Sequence, residues 1–302
     1  MDLPPCLSVP LLMKMASVNI RQIAKKTRHG STFLLLRFLL RHSKLNGGRP
    51  PASLPTFAGR VTVTLTSYPP RFRYLHLTLQ SLLRQSVRAD RIVLWIAQDD
   101  APLLPDAVRS LTAQGLEIRL GGDLRSFKKL IYAVEAFPDD FLAIADDDVF
   151  YPKKWLETLL LGYDPGKRVI PCRRAHRITV DPQGGVLPYR FWEWDIRDNG
   201  PCDRIVPTGV GGVLYPPNSL DPGVVRRDVF NALCPSSDDL WFYWMARRNQ
   251  YTFRKVGGRF RMINWPETIE NALFTDNFTA NDIAVERLLQ AFGPPFSAAV
   301  PA

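Results

Sequence analysis

In the stretch FLAIADDDVFYP, residues 141–152, an apolar run stops at three adjacent aspartates and then resumes. Neighbouring like charges repel and resist burial, so Asp146, Asp147 and Asp148 call for a counter-charge. On an extended segment residues two apart share a face, which predicts that Asp146 and Asp148 point together and Asp147 away. Two carboxylates on one side, at the end of a buried strand, make an oxygen-only site for a hard cation, Mg²⁺ or Mn²⁺. The plainer use of the triplet is a solvated loop that caps the next helix. A cation held in this way keeps positions for phosphate oxygens, and the chain offers partners for a diphosphate. Arg71 follows a strand-like run. Lys128 and Lys129 open a helix whose N-terminus also favours anions, although such a pair equally suits a solvated surface. Asp99 or Asp100, closing another apolar run, could accept hydrogen bonds from a ribose or a base, or simply form a turn.

The elements that must carry these residues are legible from residue 61 onward. VTVTLT (61–66) is β-branched at nearly every position and predicts a strand. SYPPR (67–71) is a loop, because two prolines forbid a continuing ladder. Leu75, Leu79, Leu82 and Leu83 recur at helical spacing. RIVLWIA (91–97) is a second strand. A helix near 103–114, a strand LEIRL (116–120), a helix from Lys128 to about Phe137 and the strand FLAIA follow. Such alternation implies right-handed βαβ units and an α/β fold, a Rossmann-like, mostly parallel sheet flanked by helices. Ligands bind beyond the carboxyl ends of strands in such sheets, so Ser67, the Asp99–Asp100 pair and the triplet should lie along one edge. After Tyr151 the pattern loosens. Pro152 suits a helix start with Trp155, Leu156, Leu159 and Leu160 as its buried stripe, and RVIP (168–171) a short strand. Residues 178–236 are too rich in Gly, Pro and aromatics to assign. A last helix spans Asp238 to Arg248, with Ser236 and Ser237 as its caps.

The chain has 302 residues, a formal charge of +10 and 46% hydrophobic content. Its charge is unevenly placed. Ten of the 39 Lys and Arg lie within residues 1–60 against a single acid, Asp2, which leaves 29 bases against 28 acids in the remainder. A nucleic-acid binder spreads positive charge over its folded face, so that class is set aside. The leading segment lacks the pattern of a secretory signal, since Asp2 and Pro10 break it, and STFLLLRFLL (31–40) is too short to span a bilayer. Apolar residues mixed with bases across 11–45 suit an amphipathic helix on an anionic membrane surface, or one packed on its own domain. Cys6, Cys172, Cys202 and Cys234 form no ligand spacing, in keeping with a reducing compartment. The expected organisation is a basic arm and linker at 1–60, one half at 61–150, an irregular second half at 151–290 and a flexible tail at 291–302. The expected location is cytoplasmic, peripheral on the inner face of the cell membrane.

Over roughly residues 61–285 the order and spacing of these blocks resemble the nucleotide-sugar glycosyltransferases of the GT-A fold. VTVTLTSYPPR…LHLTLQSLLRQSVRADRIVLWIA is similar to the first strand, helix and second strand of family 2 enzymes. KKLIYAVEAFPDDFLAIADDDVFYPKKWLETLL resembles their stretch around the DXD motif. PTGVGGVLYPP (207–217) followed by SSDDLW (236–241) is similar to acceptor-side segments of bacterial polysaccharide glycosyltransferases and, more distantly, of exostosin-type C-terminal domains. The resemblance implies a nucleoside-diphosphate sugar donor, a glycan or lipid-linked acceptor, a role in surface polysaccharide synthesis and a Mn²⁺ or Mg²⁺ cofactor. Asp146 would then meet the ribose or a metal-bound water, and Asp148 the cation. Ser67, Arg71 and Asp99 would hold the nucleotide, beside Lys128, Lys129 and Asp147. Gly209 to Gly212, with Gly211 and Gly212 closest to the sugar, would let backbone approach it, unless the run is only a tight turn. Asp239, with Asp238 beside it, matches the family's acidic pair and would serve as general base. Acids in a helix's first turn are also favoured by its dipole alone.

Two other readings compete. A metal-dependent nucleotidyl or phosphoryl transferase would use the same carboxylate–cation chemistry, but with a Gly-rich, Lys-containing loop after the first strand, where this chain has SYPPR. A non-catalytic carbohydrate-binding homologue would tolerate loss of Asp146 and Asp148, and both are present.

Overall fold

The computed structural model describes residue 40, residues 54–266 and residues 277–296. β1 (Val61–Thr66) is followed by a 3-10 turn at Pro69–Arg71 and then α1 (Phe72–Leu83). β2 (Arg91–Ala97), a single helical turn α2 (Asp106–Arg109), β3 (Leu116–Gly121), α3 (Lys128–Ala136) and β4 (Phe141–Ile144) complete the regular half. Beyond it come α4 (Trp155–Leu161), β5 (Val169–Cys172), β6 (Ala175–Arg177), β7 (Ile205–Pro207), β8 (Val213–Tyr215), α5 (Arg227–Leu233), α6 (Asp238–Arg248), β9 (Thr252–Lys255) and α7 (Asn277–Phe292).

Seven strands form one sheet in the order β3-β2-β1-β4-β8-β5-β9. β3, β2, β1 and β4 pair in parallel, as do β5 and β9. β8 alone runs antiparallel to both its neighbours, β4 and β5. β6 and β7 form a separate antiparallel ribbon. The expected α/β architecture, a Rossmann-like and mostly parallel sheet flanked by helices, is the one observed.

Both faces of the sheet are covered, and strand alternation shows how. Leu94 and Ile96 of β2 pack with Leu75, Leu79 and Leu82 of α1, whereas Val93 and Trp95 join Leu130 and Ile131 of α3 and Phe242 of α6. Strands buried on both sides read as continuous apolar runs, which is why RIVLWIA needs no polar partner face. β1 differs: Thr62 and Thr64 are fully buried. The Thr62 hydroxyl donates to Asp140 Oδ2 at 2.6 Å, and the Thr64 hydroxyl to the Lys129 carbonyl at 2.5 Å. Each buried hydroxyl is thereby satisfied, as it must be, and Thr64 fixes the first turn of α3 against β1.

Several expectations are corrected. The helix near 103–114 is the single turn α2 between 3-10 turns at Gln98–Leu103 and Ser110–Gln114. Pro102 and Pro105 cannot donate to a helical ladder, and Gly115, at φ 100°, ends the segment in the left-handed region. The helix after Pro152 begins only at Trp155, although its buried stripe is the expected one. Ser237 occupies the N-cap of α6 but gives no capping bond, because its hydroxyl donates to Asn281 Oδ1 on α7. The start of the expected tail is packed. Phe296 is buried, Trp244 Nε1 donates to the Gly293 carbonyl, and Arg247 Nε donates to the Pro295 carbonyl. Of the stretch 11–45 only Leu40 lies within the described residues; it packs with Leu77 and Trp265. No described helix is long and apolar enough to cross a membrane.

Candidate functional site

β1 and β4 are adjacent and parallel, so their carboxyl ends deliver Ser67 and the aspartate triplet side by side. The triplet is not an extended continuation of β4. The chain leaves the ladder after Ile144 and bends at Asp147 and Asp148. The segment is then tied to a distant strand-like piece: Val149 bridges Asn264, Phe150 N donates to the Ile263 carbonyl, and Trp265 N to the Asp148 carbonyl. From below, the Thr78 hydroxyl of α1 lies 2.9 Å from the carbonyls of both Asp147 and Val149 and accepts from Trp265 Nε1.

That bend corrects the alternating arrangement expected of the three carboxylates. Asp147 turns inward and is 4% exposed. It accepts from the Ser67 hydroxyl at 2.5 Å and from Arg71 Nη1 at 2.8 Å. The same Arg71 nitrogen lies 3.3 Å from Asp148 Oδ2. Asp146 goes the other way, its Oδ1 2.8 Å from Lys129 Nζ. The triplet is therefore divided between two cations, Arg71 on the loop after β1 and Lys129 on α3. Burial raises Asp148 most, with Arg71 opposing and Asp147 and Asp146 adding to the rise, and the result is about 7. Asp147 is also raised by burial, against the pull of Arg71 and Ser67.

Lys129 is the junction of the site. Its ammonium also lies 3.0 Å from Asp238 Oδ2 in the first turn of α6. Burial alone would lower its pKa; Asp146, Asp238 and Asp239 together overcome that and hold it well above the ordinary lysine value. Asp238 is further fixed by the Ser126 hydroxyl at 2.9 Å. Asp239 accepts from the Gly209 N–H through both oxygens, at 3.0 and 3.1 Å. Burial, then Asp238, pushes its carboxyl up to about 7. Four elements distant in sequence thus meet: the β4 turn, α3, the Gly209 turn and α6.

The glycine run serves this meeting unequally. A Cβ on Gly209 would stand 2.7 Å from Lys129 Nζ and 3.0 Å from Asp239 Oδ1, so this glycine is the one that borders the charges. Gly211 and Gly212, expected beside a ligand, are tight packing positions. A Cβ on Gly211 would meet the Arg174 backbone at 2.8 Å, and Gly212, at φ 94°, lies against the Trp155 indole. Trp155 Nε1 donates to the Gly211 carbonyl at 2.7 Å. Lys128 diverges from its neighbour, its Nζ 2.6 Å from Asp123 Oδ1. Asp99 sits on the expected sheet edge, exposed, with no hydrogen bond or ion pair joining it to the cluster among the described residues.

Sequence reading missed Tyr151, Ser126 and Thr78. The Tyr151 hydroxyl accepts from Asp146 N at 2.7 Å and donates to the Val210 carbonyl at 3.2 Å, joining the triplet to the glycine turn. Its place just after the triplet was a usable signal. Ser126 and Thr78 carry none, because their partners lie far along the chain.

Among the described residues no group of three or more His, Cys, Asp or Glu is disposed as a metal centre. Mg²⁺ at nucleotide sites uses one or two carboxylates and completes its shell with water and substrate phosphates. Asp146 and Asp148, the latter raised chiefly by burial, offer one carboxylate each to that use; a closed protein cage they do not form.

No protein-family model and no curated protein matches the chain. Solved structures of similar layout include the inositol-1-phosphate CTP transferase from T. maritima, 9% identical, covering 67% of this chain and 86% of that one with a TM-score of 0.38. Another is 4-diphosphocytidyl-2C-methyl-D-erythritol synthase from Anaerococcus prevotii, 15% identical, covering 72% and 96% with a TM-score of 0.42. A third is CMP:2-keto-3-deoxy-manno-octonic acid synthetase complexed with CTP, 14% identical, covering 73% and 100% with a TM-score of 0.40. Two of these three names include CTP. None of these names includes the glycosyl transfer expected from the sequence, and that expectation is withdrawn. At TM-scores of 0.42 or less these likenesses assign no chemistry, which must rest on the side chains themselves.

Proposed function

We propose that the chain is a nucleotide-dependent transferase acting by nucleotidyl or phosphoryl transfer. One observation carries the reading: two cations and a split aspartate triplet converge at the carboxyl ends of adjacent parallel strands. Arg71 and Lys129 supply fixed positive charge for phosphate oxygens, and Ser67 holds Asp147 and hence Arg71 in place. SYPPR departs from the Gly-rich, Lys-containing loop that nucleotidyl transfer would lead one to expect. In this reading its task falls to Arg71, at the end of that loop, and to Lys129 on the neighbouring helix.

A divalent ion on Asp146 and Asp148 would neutralise charge growing on the leaving phosphate. In this reading Asp239 takes the proton. An acceptor hydroxyl forms its bond to phosphorus, the bond to the leaving phosphate breaks, and the hydroxyl proton passes to the Asp239 carboxylate. A carboxyl near 7 suits that role, because a general base works best close to the operating pH.

The test is a thermal-shift panel of CTP, UTP, ATP and GTP, each with and without Mn²⁺. Ligand stabilisation grows with concentration over Kd, so one base should stand out, and its shift should depend on the ion. Asp148→Ala should remove the Mn²⁺-dependent part. A flat panel, or full Mn²⁺ dependence in Asp148→Ala, would overturn the reading.

A further inference from the structure

β8 is antiparallel to β4 and to β5, so β5 runs in the same direction as β4. The carboxyl ends of β5 and β9 therefore lie on the sheet edge that carries the aspartate triplet. A cavity of about 220 Å³ opens there, lined by Trp194, Asp195, Ile196, Arg197, Lys255 and Arg259. Pockets for drug-sized ligands run to roughly 300–1,000 Å³, so this one suits a single small molecule.

Its charge is unbalanced. Arg197, Lys255 and Arg259 face one acid, Asp195, whose Oδ2 lies 3.6 Å from Arg259 Nε. Lys255 is 2% exposed, and among the described residues its Nζ makes only long contacts to the carbonyls of Gly257 and Gly258, at 3.2 and 3.4 Å. Burial, then Arg173, lowers its pKa against an opposing pull from Asp195. Asp195 is itself held in an unusual conformation, at φ 49°, with its N–H donated to His176 Nδ1 at 3.1 Å. Burial pushes His176 down to about 3, so it is neutral and able to accept. Among the described residues Asp195 Oδ1 is buried without a hydrogen-bond partner. Non-glycine residues in this region are strained and gather at ligand sites.

The cavity is coupled to the charged cluster through Arg174. Its Nε lies 3.9 Å from Asp195 Oδ1, its Nη1 donates to the Thr208 hydroxyl, and its carbonyl accepts from Thr208 N. Thr208 precedes Gly209, which holds Asp239.

We propose that this cavity binds the second substrate by an oxyanion, phosphate or carboxylate. Arg197, Lys255 and Arg259 hold the anion, which acts as a handle and not as the nucleophile. The identification of the ligand as a second substrate rests on the transferase reading; the anion site does not.

Isothermal titration with glucose 1-phosphate, glucuronate and glucose tests it. Glucose 1-phosphate or glucuronate should bind, and which of them binds more tightly identifies the oxyanion; glucose should not bind. The double variant Arg197→Ala/Arg259→Ala, at exposed positions, should weaken the anionic sugar by about tenfold or more, as loss of charge-assisted contacts does. Arg71→Ala should leave that affinity unchanged, and the double variant should leave nucleotide stabilisation unchanged. Equal affinity for glucose, no binding, or loss in Arg71→Ala but not in the double variant would each overturn the site. Anionic-sugar binding that depends on Arg197 and Arg259, in a chain no nucleotide stabilises, would retain the site and reject the transferase reading.

Discussion

At the scale of single residues the molecule is organised by one buried ammonium. Lys129 balances Asp146, Asp238 and Asp239, and removing one partner of a buried ion group leaves the others uncompensated. Lys129→Met should cost about 3–5 kcal/mol in urea unfolding, with Lys129→Arg much milder. Equal midpoints for Met and wild type would show that the cluster is not held by charge. Asp239 adds a pH dependence whose sign is fixed. Its folded value, about 7, lies above an unfolded value of about 3.9, so the folded state binds the extra proton between them. Its contribution to stability is present at low pH and lost as pH rises through about 7. The Tm should therefore fall between about pH 5 and about pH 8, and Asp239→Asn should flatten that fall. Activity should move the opposite way, since the base works deprotonated. An unchanged slope in Asp239→Asn would sink the assignment.

At the scale of elements, sequence reading did best where a periodic run meets its own signals. VTVTLT and RIVLWIA are strands with the expected bounds, and α6 spans Asp238–Arg248 as read. β8 escaped because three residues, VLY, are too few for any period to show, yet they sit in the middle of the sheet. The site was legible as a list of charged residues but not as a geometry. Alternation assumed a strand through the triplet, and the bend fixed by Thr78 and Asn264 depends on contacts that sequence spacing cannot reveal. The Gly209 turn gives a contrast to test. Gly212→Ala places a methyl 2.5 Å from the Trp155 ring, on a backbone at φ 94°. It should lower Tm by several degrees while leaving nucleotide stabilisation intact. Gly209→Ala meets the end of a lysine side chain instead, at 2.7 Å. It should spare Tm more and reduce Mn²⁺-dependent nucleotide stabilisation; the reverse ranking in thermal-shift data would refute this division of roles.

At the scale of the whole molecule, a nearly neutral body carries its chemistry on one edge of a sheet whose strands come from both halves. The aspartate triplet ends a strand of the first half, and the acids that share Lys129 belong to the second. β8 has a consequence for how such a chain is made. During synthesis β1 to β4 emerge first, but the open edge of β4 must wait for Val213–Tyr215, since Leu142 pairs with Tyr215. An unpaired central strand invites association with other chains, and late pairing of this kind slows folding. Residues 54–160 expressed alone should accumulate in the insoluble fraction, whereas residues 54–296 should remain in solution. A soluble, cooperatively melting short fragment would show that the first half needs no such partner. Otherwise the ribosome must deliver the chain as far as Trp265 before its first carboxylates acquire a fixed place.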